Sequence, residues 1–371
     1  MGDRYPKLKL AAVQAAPVFL DREATVDKAC RLIEEAGAGG AVLVGFPECY
    51  VPGFPRWYRF RTLYDCGELY RALFANSVEV PSEATEQLCA AARKAGLYVV
   101  MGINERDPGT LGTMYNSQLF ISREGVLLGR RRKIMPTLGE RLVHKAGDGT
   151  GLRVFPTAFG PLGGLICGEN TNSLARFALL AQGERFHVAS WPPFPTPDNV
   201  EQRRAIEIQT RYHALEGRVF VISACGVVDD RMIAMICETE TQRQLVVDSG
   251  GFSAIIGPAG EYLAGPQPEG EGILYAEADL EAIVAGKYSH DLVGHYNRFD
   301  LLSLVLRDGT AAPLVWGEAG VRQATKELPA SDLLEWLLRR LPGRGDRERT
   351  GALREAEGPG GPASEGQGGL R

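Results

Sequence analysis

The sequence predicts an α/β fold with a mixed sheet. Three times a run with apolar residues at helical spacing is closed by glycine and followed by a short apolar strand: 25–36 then 41–46, 82–95 then 97–103, and 173–182 then 186–191. Two further pairs of strand-like runs flank turn residues, so antiparallel neighbours are expected within the α/β alternation.

Each element has a local cause. Residues 8–14 (L-K-L-A-A-V-Q) read as the first strand, and Ala29, Leu32, Ile33 and Ala36 share one helical face ahead of the glycines at 37–40. Gly96 and Gly183 stop the second and third helices. Runs 117–121 and 126–131 bracket Arg123-Glu124-Gly125, and runs 252–256 and 261–264 bracket Pro258-Ala259-Gly260, as hairpins require. Another apolar strand is expected over 219–224. Past Leu301 one amphipathic helix is expected over 332–341, with an Asp332/Glu335 capping box and Pro342 as terminator. Residues 343–371 include nine Gly and two Pro with only Thr350 β-branched, so they are expected to be a disordered tail. A chain ending at Pro342 should keep its melting temperature and specific activity; a change in particle size by light scattering would contradict the expectation.

The 371 residues suit two or three domains or, equally, one large α/β layer structure plus an extension. Forty-one Lys and Arg against 46 Asp and Glu give a net charge of −5, which leaves no long basic face for nucleic acid or anionic lipid. The apolar runs fall far short of the roughly 20 residues of a membrane helix, and no signal segment is read at the start. Seven cysteines form an odd, scattered set without a C-x-x-C pair, so neither disulfides nor a thiolate zinc site is expected and a cytoplasmic setting is. The five histidines are read as showing no metal-ligand pairing, so no metal is expected. Gly37-Ala38-Gly39-Gly40 closes a helix instead of opening one, unlike a dinucleotide loop. Asp248-Ser249-Gly250-Gly251 lacks the histidine context of a serine protease.

The informative question is which cysteine is activated. Cys167 ends the strand-like run 163–166, is followed by Gly168, and precedes capping residues at 170–173 whose orphan N–H groups would favour a thiolate. Cys225 with Gly226 is the competitor, but no capped helix is read after it. Glu48 follows an apolar strand through Pro47, at the carboxyl end where α/β folds place their sites. Lys133 closes Arg130-Arg131-Arg132-Lys133 and by itself could be a solvated strand end; Glu140 is equally ambiguous alone.

Together these positions carry a resemblance. The stretches A-A-V-Q-A-A-P-V at 11–18, Phe46-Pro47-Glu48 with Pro52-Gly53-Phe54-Pro55, Arg131-Arg132-Lys133-Ile134-Met135-Pro136-Thr137 and Cys167-Gly168-Glu169-Asn170 resemble the nitrilase superfamily, and 291–300 (D-L-V-G-H-Y-N-R-F-D) resembles its true nitrilase branch. The chain departs at Gly168 and at His144, where Trp is common. The resemblance implies a four-layer α-β-β-α sandwich over residues 1–300, an extension over 301–342 and the tail. It implies a catalytic Cys167, Glu48 and Lys133, with Glu140 in support. Phe54, Trp57, Tyr58 and Trp191, aromatic residues near the motifs, are read as substrate-binding residues for an aryl group, with the core as the alternative place for them. No cofactor is implied. The partner would be a small nitrile, and the assembly a homo-oligomer with a dimer as building block and a spiral as one form open to it. The alternatives are an amidase or carbamoylase of the same superfamily, a cyanide hydratase, and a non-catalytic assembly protein; comparing a nitrile with its matching amide separates the first.

Overall fold

The computed structural model describes residues 5–62, 64–194, 199–247 and 249–307. The expected helix at 332–341 and the tail lie outside these. In chain order the elements are β1 (Lys7–Gln14), α1 (Arg22–Ala38), β2 (Leu43–Gly45), α2 (Gly67–Asn76), α3 (Glu83–Ala95), β3 (Tyr98–Arg106), β4 (Met114–Ile121), β5 (Leu127–Arg132), β6 (Leu162–Ile166), α4 (Ser173–Leu180), β7 (Phe186–Trp191), α5 (Asn199–Gly217), β8 (Phe220–Cys225), α6 (Asp230–Ile236), α7 (Glu240–Val246), β9 (Ser253–Ile256), β10 (Tyr262–Gln267), β11 (Gly272–Asp279) and α8 (Glu281–Ser289).

They make two mixed sheets, ordered β11-β1-β2-β3-β4-β5 and β10-β9-β8-β7-β6. Side-chain alternation along each strand explains the layering, since both faces of both sheets are covered. In the first sheet Leu10, Leu43, Val100 and Phe120 point one way and meet Leu162, Val188, Phe220, Ile222 and Ile255 of the second sheet. Their neighbours Ala11, Val13, Val44, Val99 and Met101 point the other way, onto Ala29 and Ile33 of α1 and Leu88 and Ala92 of α3. On the far side of the second sheet Ala189, Val221 and Ile256 meet Leu180 from the end of α4 and Ile206 and Ala214 of α5. The result is the four-layer α-β-β-α sandwich. At Gly45 the sheets approach so closely that a Cβ would lie 2.8 Å from a methyl of Val188.

The parallel pairs β1–β2, β2–β3, β6–β7 and β7–β8 are joined through helices, whereas β4–β5 and β9–β10 are the two expected hairpins, the second with shifts of register. The first strand pairs in addition with β11, which the sequence pattern did not reveal.

Polar side chains tie the sheets where the site lies. Glu169, just after β6, accepts both terminal nitrogens of Arg131 from β5 at 2.6 and 2.8 Å and the N–H groups of Ile134 and Ile166 at 2.7 and 3.0 Å. Both side chains are buried. Removing Glu169 would strand a buried guanidinium, so Glu169→Ala should destabilise the fold by about 3–5 kcal/mol. Chemical denaturation of this variant against wild type provides the check.

Candidate active site

Glu48 reaches its place through β2. The chain leaves that strand at Gly45, and the turn through Pro47 lies so tightly on β3 that a Cβ on Gly102 would sit 2.0 Å from the Pro47 carbonyl oxygen. Glu48 N–H then donates to the Trp191 carbonyl of the facing sheet at 3.3 Å. Lys133 follows the last residue of β5, and its N–H donates to the Asn116 carbonyl at 2.8 Å. It is 1% exposed, so the basic run at 130–133 is no solvated strand end. Arg130 and Arg132 both pair with the buried Glu105, Arg131 with Glu169, and Lys133 with Glu48 at 2.8 Å and Glu140 at 2.7 Å.

Glu140 lies in a 3-10 turn, Leu138–Leu142, capped by Thr137. Its Oε2 accepts from Thr137 N–H at 2.9 Å as well as from Lys133, and its Oε1 accepts from Asn116 Nδ2 at 2.7 Å. The same Asn116 amide donates to Glu48 Oε1 at 2.6 Å, so one side chain spaces the two carboxylates. Among the described residues Glu48 Oε2 has no hydrogen-bond partner. That oxygen is available to take a proton.

Cys167 terminates β6 at φ +50°, a left-handed turn that lifts its thiol out of the strand. A 3-10 turn, Cys167–Thr171, separates it from α4, whose N–H groups at Leu174 and Ala175 are satisfied by the Asn172 side chain. The expected orphan donors of a helix end are therefore not at the sulfur; the backbone N–H of Gly168 is the donor that favours its anion. Asn170 Nδ2 holds the Cys167 carbonyl at 3.0 Å, and its Oδ1 meets His187 Nε2 at 3.0 Å. His187 Nδ1 and His213 Nε2 in turn meet the two oxygens of Glu184 at 2.7 and 2.8 Å.

Two histidine–carboxylate spacings thus went unread in the sequence, 140/144 and 184/187. Glu184, His187 and His213 bring three buried ligand-type atoms within 4.8 Å of one another, but those atoms engage each other and Asn170. Burial pushes His213 down to about 4, and Glu184 lies near 2 because the two imidazoles outweigh the effect of its burial.

The half-buried Cys167 opens on a cavity of about 40 Å³ lined by Phe54, Tyr58, Glu140, Pro193 and Phe194, with Arg56 and Arg59 at its wall. Trp57 does not line it, packing instead beside Phe19 in a separate core. Trp191 lies in the core beneath Cys167. Cys225 is 1% exposed in that same core, and a short helix, α6, capped by Asp229, does follow it. Cys49, beside Glu48, is fully buried.

Burial dominates the electrostatics. It pushes Glu48 up to about 7, with Lys133 opposing and Glu140 reinforcing. Burial alone would lower Lys133, but Glu48 and Glu140 hold it well above its ordinary value. Burial alone would raise Glu140, yet Lys133 and His144 take it well below the usual carboxylate range. The Cys167 thiol is pushed well up by burial and by Glu48, more than Lys133 lowers it. The thiolate expected from a helix end is thus not favoured here, and a nucleophilic Cys167 would need a base to take its proton.

A thiol, a carboxylate near neutrality and a fixed ammonium gather here, the residue types that hydrolysis through a cysteine nucleophile calls for. The chain belongs to the carbon-nitrogen hydrolase family, whose model matches residues 9–288. It is 41% identical over 303 residues to a nitrilase of Pseudomonas syringae pv. syringae, covering 80% of this chain and 89% of that one. To an aliphatic nitrilase of Rhodococcus rhodochrous it is 39% identical over 336 residues, covering 88% and 90%. A solved carbon-nitrogen hydrolase from Helicobacter pylori shares the fold with a TM-score of 0.62 at 21% identity, over 80% of this chain and 97% of that one. Among the described residues no helix is long and apolar enough to cross a membrane.

Proposed function

We propose that this chain is a nitrilase that converts a small nitrile and two waters into a carboxylic acid and ammonia. The observation that carries the reading is the Glu48–Lys133–Glu140 cluster, with the unpaired Glu48 Oε2, whose Glu140 lines the same cavity as the half-buried Cys167. Cys167 sulfur attacks the nitrile carbon as Glu48 takes the thiol proton, and transfer of that proton from Glu48 to the nitrile nitrogen gives a thioimidate and frees the carboxylate. Glu48 then takes a proton from water as it adds to the thioimidate carbon. The C–N bond of the tetrahedral species breaks, releasing ammonia and leaving a thioester. A second water cleaves the thioester to the acid and the free thiol. Two of the three Lys133 N–H groups are held by the carboxylates, so the third is directed at charge developing on nitrogen and then on oxygen. Glu140 orients Lys133. Phe54 and Tyr58 bound the cavity and would contact the substrate's organic group.

Because Glu48 must be ionised to act as base and lies near 7, kcat/KM should rise with pH through about 7 and fall below it. In Glu48→Gln that dependence should vanish with most of the rate. Ammonia release from a nitrile panel, against the matching amides, tests the reading; turnover of amides alone would overturn it.

The hydrolase domain is proposed to span residues 1–300. A homo-oligomer is supported by Ile208, Tyr212 and Leu215, exposed at four- and three-residue spacing on α5. A cytoplasmic location is supported by the seven free cysteines.

A further inference from the structure

His144 joins the cluster in a way that fixes its protons. The side chain is fully buried, with Nε2 at 2.8 Å from Asn104 Oδ1 and Nδ1 at 3.3 Å from Glu140 Oε1. Asn104 cannot be turned around. Its Nδ2 donates to the carbonyls of Val51 and Gly53 at 3.3 and 2.9 Å, two acceptors that only the NH₂ end can face. Oδ1 therefore presents an acceptor to His144, and Nε2 must carry a hydrogen. On the other side of the ring stands a carboxylate oxygen, again an acceptor. A neutral imidazole has one donor nitrogen, so it would set a lone pair against one of these two oxygens.

Resting on the nitrilase reading above, we infer that His144 is a doubly protonated imidazolium, a second buried cation that holds Glu140 as an anion and balances the charge of the site. The groups that face it are Glu140 from the 3-10 turn and Asn104 from β3; Glu140 links it to Lys133 and, through Asn116, to Glu48. With both carboxylates ionised, Lys133 and His144 balance the charges of these four linked groups, while Arg56 and Arg59 stand at the wall of the cavity that Glu140 also lines. Without the imidazolium, two carboxylates would face one ammonium. The excess negative charge is relieved most easily by a proton on Glu48, which already lies near 7, and a protonated Glu48 is no base. His144 is thus a positioning residue that acts on the reaction through Glu140 and the charge of Glu48. It touches no reacting atom.

The test uses the full chain and has two arms. In Cys167→Ala protein labelled with ¹⁵N-histidine, a long-range ¹H–¹⁵N correlation at pH 7.5 should show a ring with both nitrogens protonated, and adding His144→Gln should remove that signal. A His144 ring with one bare nitrogen overturns the inference. This arm needs no turnover, so it stands or falls separately from the nitrilase reading. In the second arm, His144→Gln in the active enzyme should lower kcat/KM at pH 7 by roughly 10–100-fold, move the acid limb of the profile upward by about one pH unit or more, and recover much of the rate near pH 9, with KM little changed. A merely structural role would lower the rate evenly at every pH. An acid limb that stays in place overturns the assignment to Glu48.

Discussion

Cys167→Ala is expected to abolish nitrile turnover, a loss on the order of 10⁴–10⁶, while the protein keeps its fold. The side chain removed is small and half-buried at the edge of a cavity, so little packing is lost, and alanine meets the left-handed backbone of the turn on much the same terms as cysteine. Cys225→Ala is the matched control. That thiol is pushed up to about 12 by burial, and the core around it leaves no room for a substrate. It should retain activity at the cost of some stability. Ammonia release and melting temperature, measured together on both variants, separate chemistry from folding; full activity in the Cys167 variant would remove the nucleophile from the mechanism.

The second large effect is expected at Lys133. A guanidinium spreads its charge over a plane and reaches farther than an ammonium, so Lys133→Arg would misplace the donor aimed at the developing anion. The slot is closed, with Glu48 and Glu140 at 2.8 and 2.7 Å and no solvent into which the larger group could turn. Losing one such preorganised contact costs about 10²–10³ in kcat, or roughly 3–4 kcal/mol. Arg132→Lys should behave differently. Its partners are Glu105, reached by three hydrogen bonds, and the Tyr115 ring 3.7 Å from its guanidinium carbon. The replacement weakens that bidentate, stacked contact and lowers stability, yet leaves Lys133 untouched. Comparable mild losses of kcat/KM in the two variants would show that Lys133 carries no special role.

The layers were legible because the inner strands of both sheets lie between two covered faces. Apolar runs such as 41–46 and 186–191 therefore announce themselves, and the glycines at 96 and 183 mark the helix stops. Other elements left weaker traces. The residues of β11 are only partly covered over most of its length, and its partner β1 lies more than 250 residues away. Leu73 is the one buried residue of α2 among those described. In α5 the buried side is partly polar, with Thr210 and His213 beside Ile206 and Ala214, which breaks the apolar stripe that periodicity relies on.

The site divides in the same way. Glu48, Lys133 and Cys167 each sit at or just after a strand end, which local pattern exposes, and the resemblance joined them. What holds them does not show locally. Asn116 looks like an ordinary strand residue until β4 carries it between two carboxylates, and Arg131 looks like one more basic residue until Glu169, 38 positions on, closes over it. The spacing from Glu140 to His144 was a usable signal, since residues four apart share a face of a helical turn. Of the aromatic residues expected at the substrate, Phe54 and Tyr58 line the cavity and Trp57 and Trp191 lie in the packing around it, a distinction that needs the fold.

The most direct test of the central claim is mass spectrometry of the protein acid-quenched during turnover of one good nitrile, in wild type and in Glu48→Gln. If Cys167 is the nucleophile, the peptide carrying it gains either the mass of the nitrile, for the thioimidate, or that mass plus water less ammonia, for the thioester. Neither species should build up in Glu48→Gln, because the base that removes the thiol proton is missing. Nitrile consumed with an adduct on another residue, or with no adduct in either protein, would contradict the assignment of Cys167 and Glu48.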